Sequence, residues 1–336
     1  MNAHFPDAGT IRTVLTLASR APSVHNTQPW RWRVGMSTLH LYSDPSLQLP
    51  HTDPDGRDLT LSCGAALNHC VIALAAIGWH AKVTRLPNPA DPCHLAAIEV
   101  TPCTSDRVDI MLAAAIPRRR TDRRHYSFWP VKVSDIALMA ARAARNGVAL
   151  HQVESMDQLN AIVSQSVSNH AADTDYLAEL TTWSGCHASP AGVPARNTPV
   201  SDPAATMPSR QFAGPALAMP PDASPADDNA VVLALGTRAD DRLAQLRAGE
   251  ATSVVLLTAT AMGLASCPVT EPLEIAETRD AVRADVFGNS NYPQMLLRVG
   301  WAPINADLLP STPRRALSDI VEWLTEPDQV VSAGCR

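Results

Sequence analysis

Apolar residues recur at helical spacing over 9–20, 59–78, 133–147, 155–183, 238–262 and 315–324, and each of these stretches is predicted as a helix. Alternating or unbroken apolar runs predict strands over 30–34, 38–43, 149–154, 230–236 and 294–301. Val231-Val232-Leu233-Ala234-Leu235 has no polar break, as expected of a strand covered on both faces. Two helices, the ones through Leu61–Leu67 and Leu246–Thr252, are apolar nearly all round, which places them inside a core. They also match each other. At a constant offset of 185, Gly64 falls on Gly249, Ala66 on Ala251, Ile72 on Leu257 and Gly78 on Gly263. Each ends at a glycine suited to a left-handed cap. The first then enters a strand at Lys82–Leu86, the second a Pro-containing turn at Cys267-Pro268-Val269. A further strand follows in both, His94–Thr101 and Gln294–Trp301. The matched glycines and strands point to a duplicated unit of α+β type, with residues 1–115 as the first half and 116–336 as the second. The halves are expected to pack as a pseudo-dimer within one chain.

Composition narrows the picture only a little. At 336 residues the chain is long enough for two core-bearing units, and a net charge of −6 with pI near 6.0 argues against non-specific nucleic-acid binding. No apolar run of about 18 residues is evident, so a membrane span is not indicated. The first residues lack a basic stretch followed by an apolar one, and the reading is cytoplasmic. Seven cysteines without regular spacing do not make a disulfide framework. Cys63 and Cys70, with His69, and Cys93 with His94, form no Cys-x-x-Cys or His-Glu-x-x-His arrangement, and read as structural thiols rather than metal ligands.

Three segments carry candidate chemistry. Pro22 stops the first helix, and Ser23, His25, Asn26, Thr27 and Gln28 then crowd uncharged donors and acceptors before the strand Trp30-Arg31-Trp32-Arg33. Such a turn is either a capped corner or an edge for a flat ligand rich in hydrogen-bonding groups. Five arginines fall within the seven residues 118–124 of an acidic chain, and Arg314-Arg315 follow the last strand. These read either as solvated basic loops or as a phosphate clamp, since guanidinium forks match phosphoryl oxygens. Residues 190–228 hold nine of the 28 prolines and no sustained period. An insertion of this kind, bounded at about 185–229, is a linker or a lid, with Met207, Arg210, Phe212 and Met219 able to dock on a cleft.

The string Pro22-Ser23-Val24-His25-Asn26-Thr27-Gln28-Pro29-Trp30 closely resembles the Pro-Ser-x-x-Asn-x-Gln-Pro-Trp segment of the nitroreductase family. Together with the Arg-rich motif, the insertion and Pro313-Arg314-Arg315, it resembles the Acg-type subgroup of mycobacterial NAD(P)H nitroreductases over nearly the whole chain. The resemblance implies a tandem nitroreductase-like fold with mixed or antiparallel sheets flanked by helices, and a single FMN per fused chain. It implies that Ser23, Asn26, Gln28, Pro29, Trp30, Arg31 and Trp32 lie near the flavin ring, with Arg31 offsetting negative charge on the reduced ring. Arg119, Arg120, Arg123, Arg314 and Arg315 are the implied phosphate ligands. Pro268 and Thr270 belong to the loop facing flavin N5, where Thr270-Glu271 replaces the family's Glu-Gly and leaves its turn without a glycine. The implied partners are NAD(P)H and a small nitroaromatic or quinone-type acceptor, with no metal and no catalytic side chain, in a monomer or a homodimer. His25 is a candidate proton donor or, more simply, a structural hydrogen-bonding residue. The alternative implied function is a protein that stores or sequesters FMN beneath its lid.

Overall fold

The computed structural model describes residues 5–185, 189–202, 204–205, 207–220, 223–303 and 305–324. The chain opens with α1 (Ala8–Ala18), whose first turn is capped by Asp7 accepting from Thr10 N at 2.8 Å. After the turn at 23–28 come β1 (Trp30–Val34) and β2 (Thr38–Ser43), an antiparallel hairpin pairing Trp30 with Ser43 and Val34 with Leu39. The central helix α2 (Arg57–Ala76) follows, then β3 (Trp79–Arg85), β4 (His94–Pro102) and α3 (Arg107–Ala115). The second half runs α4 (Val133–Ala144), β5 (Ala149–Gln152), α5 (Met156–Ala172), α6 (Thr174–Trp183), β6 (Val231–Thr237), α7 (Arg242–Ala261) and β7 (Ala265–Val269). It continues through α8 (Glu271–Glu274), α9 (Ala276–Phe287) and β8 (Tyr292–Gly300) to α10 (Leu317–Ile320) and β9 (Val321–Trp323).

Two sheets result, ordered β3-β4-β2-β1-β9 and β5-β6-β8-β7. Read from β1 and from β5, the order is the same: β1 stands where β5 does, then β2 and β6, β4 and β8, β3 and β7. α2 and α7 cross between the sheets, and their contacts are reciprocal in the manner of a two-fold interface. A Cβ on Gly64 would lie 2.1 Å from Leu246 O, and one on Gly249 would lie 2.0 Å from Leu61 O. Leu61 and Leu246 are themselves 185 residues apart, and so are Asn68 and Ser253, whose Oγ donates to Asn68 Oδ1 at 2.8 Å. Leu61 packs into the core of the second half while Leu246 packs into the core of the first. α2 is long and apolar enough by composition to cross a membrane, yet most of it is buried in this crossing.

Several expectations need correction. The helix predicted over 155–183 is two, because Asp173 takes an extended conformation and caps α6 through Asp175 N and Tyr176 N. The stretch predicted as a helix at 315–324 is a single turn followed by β9, which adds in parallel to the edge of β1. The β-branched Ile320 and Val321 meet an unpaired strand edge there. The segment after α7 is a strand rather than a turn, since β7 pairs with β8 from Ala265 to Val269. β9 also means that the chain returns to the sheet of the first half after building the second.

Candidate functional site

The turn between α1 and β1 is strained. His25, Asn26 and Gln28 have φ of 44°, 56° and 56°, a region that costs a non-glycine residue roughly 1 kcal/mol or more. Tertiary hydrogen bonds hold it. Ser23 Oγ accepts from Gln28 N at 3.0 Å, and Asn26 Nδ2 donates to Gly192 O and Pro313 O. Asn26 Oδ1 accepts from Arg314 Nη1 at 2.9 Å. Gln28 is fully buried, donating to Pro190 O and accepting from Arg315 N, both at 2.9 Å. The two amides thus join three distant segments of chain, 23–28, 190–192 and 313–315, at one point.

Beside this knot opens a wide chamber of about 1220 Å³ including its mouth. One wall is a single face of α2, carrying Asp58, Leu61, Ser62 and Ala65 at i, i+3, i+4 and i+7. Gly249 and Thr252 of α7 and the end of β7 from Cys267 to Glu271 form the opposite side, and Met207, Arg210 and Phe212 of the insertion cover it. A narrower chamber of about 500 Å³ shares Pro22, Ser23, His25, Thr121 and Arg123 with the first and is lined further in by Arg119, Arg120 and Arg314.

The narrow chamber is positive and uncompensated. Arg20, Arg120, Arg123 and Arg314 donate to backbone carbonyls, and Arg314 also to Asn26 and Thr312 side chains, so no carboxylate neutralises them among the described residues. Arg119 is buried, and its Nε and Nη1 have no partner. Burial, with Arg120, Arg20 and Arg123 nearby, pushes Arg119 down to about 10. Burial, then Arg119, Arg20 and Arg120, takes Arg314 to about 9. Both stay charged at neutral pH, so the chamber presents uncompensated positive charge that an anion could offset.

The wide chamber is apolar with polar inserts. Arg210 pairs with Glu274 at 2.5 Å, and donates to Thr270 Oγ1 and, at 2.8 Å, to His25 Nε2. Burial, then Arg210, Arg123 and His170, hold His25 well below the ordinary imidazole range. Its ring is therefore neutral, with Nε2 as acceptor and the remaining proton assigned to Nδ1. Thr252 Oγ1, on the chamber wall, is buried with no partner.

Of the residues singled out from the sequence, Ser23, Asn26, Arg119, Arg120, Arg123, Arg314, Pro268 and Thr270 border the two chambers. Others do not. Trp30 and Trp32 are fully buried in the core of the first half, and Arg31 points outward to Asp44 at 2.7 Å. The alternation of β1 puts its indoles and its guanidinium on opposite faces, neither of which meets a chamber. Pro29 offers its carbonyl to Asp44 N and Cys63 Sγ, and Gln28 and Arg315 join loops rather than line a wall. Thr270 has φ −97°, so the loop after β7 needs no glycine. Met207, Arg210 and Phe212 reach the chamber; Met219 does not line it. Asp58 and Thr252 escaped the sequence reading, although the i, i+3, i+4, i+7 face of α2 carried a usable signal for Asp58. Among the described residues no group of three His, Cys, Asp or Glu side chains is placed to hold a metal.

No family model matches the chain. It is 67% identical over 335 residues to "Putative NAD(P)H nitroreductase" of Mycobacterium tuberculosis strain H37Rv, covering all of this chain and 96% of that one. It is 37% identical over 318 residues to the protein of the same strain named "Putative NAD(P)H nitroreductase acg", covering 92% and 94%. Solved structures with a looser likeness include an FMN-bound nitroreductase of Bacteroides fragilis, 14% identical with a TM-score of 0.40 over 61% of this chain and 95% of that one. An FMN complex from Desulfovibrio desulfuricans is 15% identical with a TM-score of 0.37, over 64% and 96%. The assignment rests on the mycobacterial relatives, which match end to end: the chain belongs to the nitroreductase family, in the branch those relatives form.

Proposed function

We propose that the two chambers together hold one FMN and that the protein is an NAD(P)H-dependent reductase of nitroaromatic or quinone-type acceptors. The observation that carries the reading is the cluster of unpaired arginines opening directly from an apolar cleft. FMN has that shape and polarity, a flat ring at one end and a phosphate at the other. Arg119, Arg120, Arg123 and Arg314 would take the phosphate as permanent, fork-shaped donors. Ser23 and Thr121, which border both chambers, would meet the linking chain. The ring would lie against the α2 face, Thr252 and the loop Pro268–Thr270. When bound, FMN supplies two-electron transfer from NAD(P)H to the acceptor, and the protein supplies binding, orientation and electrostatics.

The matching strand orders and reciprocal α2–α7 contacts support a duplicated origin for the halves, with the site built where a homodimer would place an interface. A monomer is then sufficient. A second reading, sequestration of FMN, is favoured by Arg210, which lines the wide chamber and ties the covering insertion to Glu274 of α8. Purified protein is expected to be yellow, with FMN released on heating, and to bleach anaerobically with NADH or NADPH. A colourless protein that takes up no FMN overturns the proposal; a yellow one that neither nucleotide bleaches leaves sequestration standing in place of catalysis.

A further inference from the structure

Reduction of a quinone carbonyl or nitro group by hydride leaves negative charge on an oxygen, so the acceptor needs a proton as well. The wide chamber holds few groups able to give one. His25 is neutral, its Nε2 accepts from Arg210, and the proton left on Nδ1 of a neutral imidazole is too weakly acidic to give up readily. Glu274 accepts from Arg210 and Thr270, and Glu271 lies 3.3 Å from His170 Nδ1. Ser62 Oγ donates to Asp58 O at 2.6 Å, and Cys267 Sγ to Pro268 O. Burial also raises the Cys267 thiol.

Asp58 differs from all of these. It lines the chamber in the first turn of α2, is 8% exposed, and its carboxyl has no hydrogen-bond partner among the described residues. Its own backbone N–H is taken by Asp53 Oδ1 at 3.0 Å, so the side chain is not needed to cap the helix. Burial raises it well above the usual carboxylate range, and Asp53 on the preceding turn and Glu274 on α8 push the same way. Arg57 on its own helix and Arg210 on the covering insertion pull against that shift without cancelling it.

We propose that the Asp58 carboxyl is the proton donor to the acceptor oxygen in the reductase reaction. The inference rests on the FMN-reductase reading given above. As the acceptor takes up a hydride, two electrons and one proton, the carboxyl O–H bond breaks and a new O–H bond forms on the charged oxygen. A quinone thereby becomes a hydroquinone, and Asp58 is left as carboxylate, to be reprotonated from water through the open mouth of the chamber.

The test is Asp58→Asn in the full-length holoprotein, a substitution of equal size with no side-chain bond to lose. Protein photoreduced anaerobically is mixed with 1,4-benzoquinone, and the reoxidation rate is followed against pH. The wild-type rate is expected to fall as pH rises through the Asp58 pKa, because the donor is then spent. The variant is expected to be about tenfold to a hundredfold slower, near the lower end of general-acid contributions, and to lose that pH limb. The loss should fall on the acceptor step, so the ratio of variant to wild-type rate is expected to be lower for reoxidation by 1,4-benzoquinone than for reduction by NADH or NADPH. A readout independent of turnover is the infrared spectrum of the flavin-free protein followed against pH, where the protonated-carboxyl band of wild type should lose intensity in the variant. Unchanged reoxidation and an unchanged pH profile in a variant that binds FMN overturn the role of Asp58 and leave the FMN reading intact. Failure of wild type to bind FMN overturns both.

Discussion

The chain has two places that correspond under the 185-residue offset, and they have opposite fates. At the first, the loop after β7 and the middle of α2 border the same space: Thr270 and Ala65 both line the wide chamber. At the second, the end of β3 faces α7, with Arg85 where Thr270 stands and Glu250 where Ala65 stands. Here Arg85 Nε and Nη2 reach Glu250 Oε2 and Oε1, each at 2.7 Å, and a two-pronged ion pair occupies the corresponding position. The arginines of the narrow chamber come from the segment between the halves and from residue 314, outside the matched helix–strand units. One half of the pair thus keeps a cavity where the other has a salt bridge.

The frame should prove symmetric. Gly249→Ala and Gly64→Ala each drive a methyl into a carbonyl of the partner helix, and each should cost about 3 kcal/mol or more in urea denaturation. Losses that differ widely between the two would break the correspondence. The closed place should then behave as a buried ion pair. Arg85→Ala leaves the Glu250 carboxylate, 3% exposed, without its partner, at a cost of about 3 kcal/mol near neutral pH. Burial already raises Glu250, and losing Arg85 raises it further. A folded pKa above the unfolded one means stability is lost as pH rises through the folded pKa, so the deficit of the variant should shrink in acid. Adding Glu250→Ala should recover part of it at neutral pH, while FMN binding at the open place stays unchanged.

At the open place, Arg119→Ala should weaken FMN binding by roughly 10- to 100-fold, the worth of one charge-assisted hydrogen bond, read by fluorescence titration. Binding undiminished in that variant would move the phosphate elsewhere. Arg31→Ala should do least. Its guanidinium is 57% exposed beside Asp44, so under about 1 kcal/mol of stability and no flavin affinity should be lost.

How far the sequence reached follows from which interactions are local. β1 and β2 were legible to the residue because their alternation is itself the signal of a half-buried hairpin. The α2–α7 repeat was legible because glycine at 64, 78, 249 and 263 marks backbone needs that no other residue meets: close approach at one pair, a φ of 86° at the other. The arginine motif was legible as excess charge. Trp30 and Trp32 misled because alternation says that they share a face but not whether that face meets a core or a ligand. β9 depends on an edge nearly 290 residues away, which no local pattern encodes. α9, AETRDAVRADVF, is too polar to announce itself, with Thr278, Val282 and Phe287 its only buried residues. Asp58 looks like any acidic residue near a helix start, and only its position on the chamber wall distinguishes it.

The knot made by Asn26 and Gln28 has a consequence for the order in which the protein is made. Arg314 is held beside the narrow chamber by Asn26 Oδ1 and by the carbonyls of Ser19, Arg20 and Ala21, and it is translated long after the turn that receives it. A nascent chain therefore exposes a strained loop and an incomplete ring of arginines until Arg314 has left the ribosome. Closure of the ring of arginines is then a late event in synthesis.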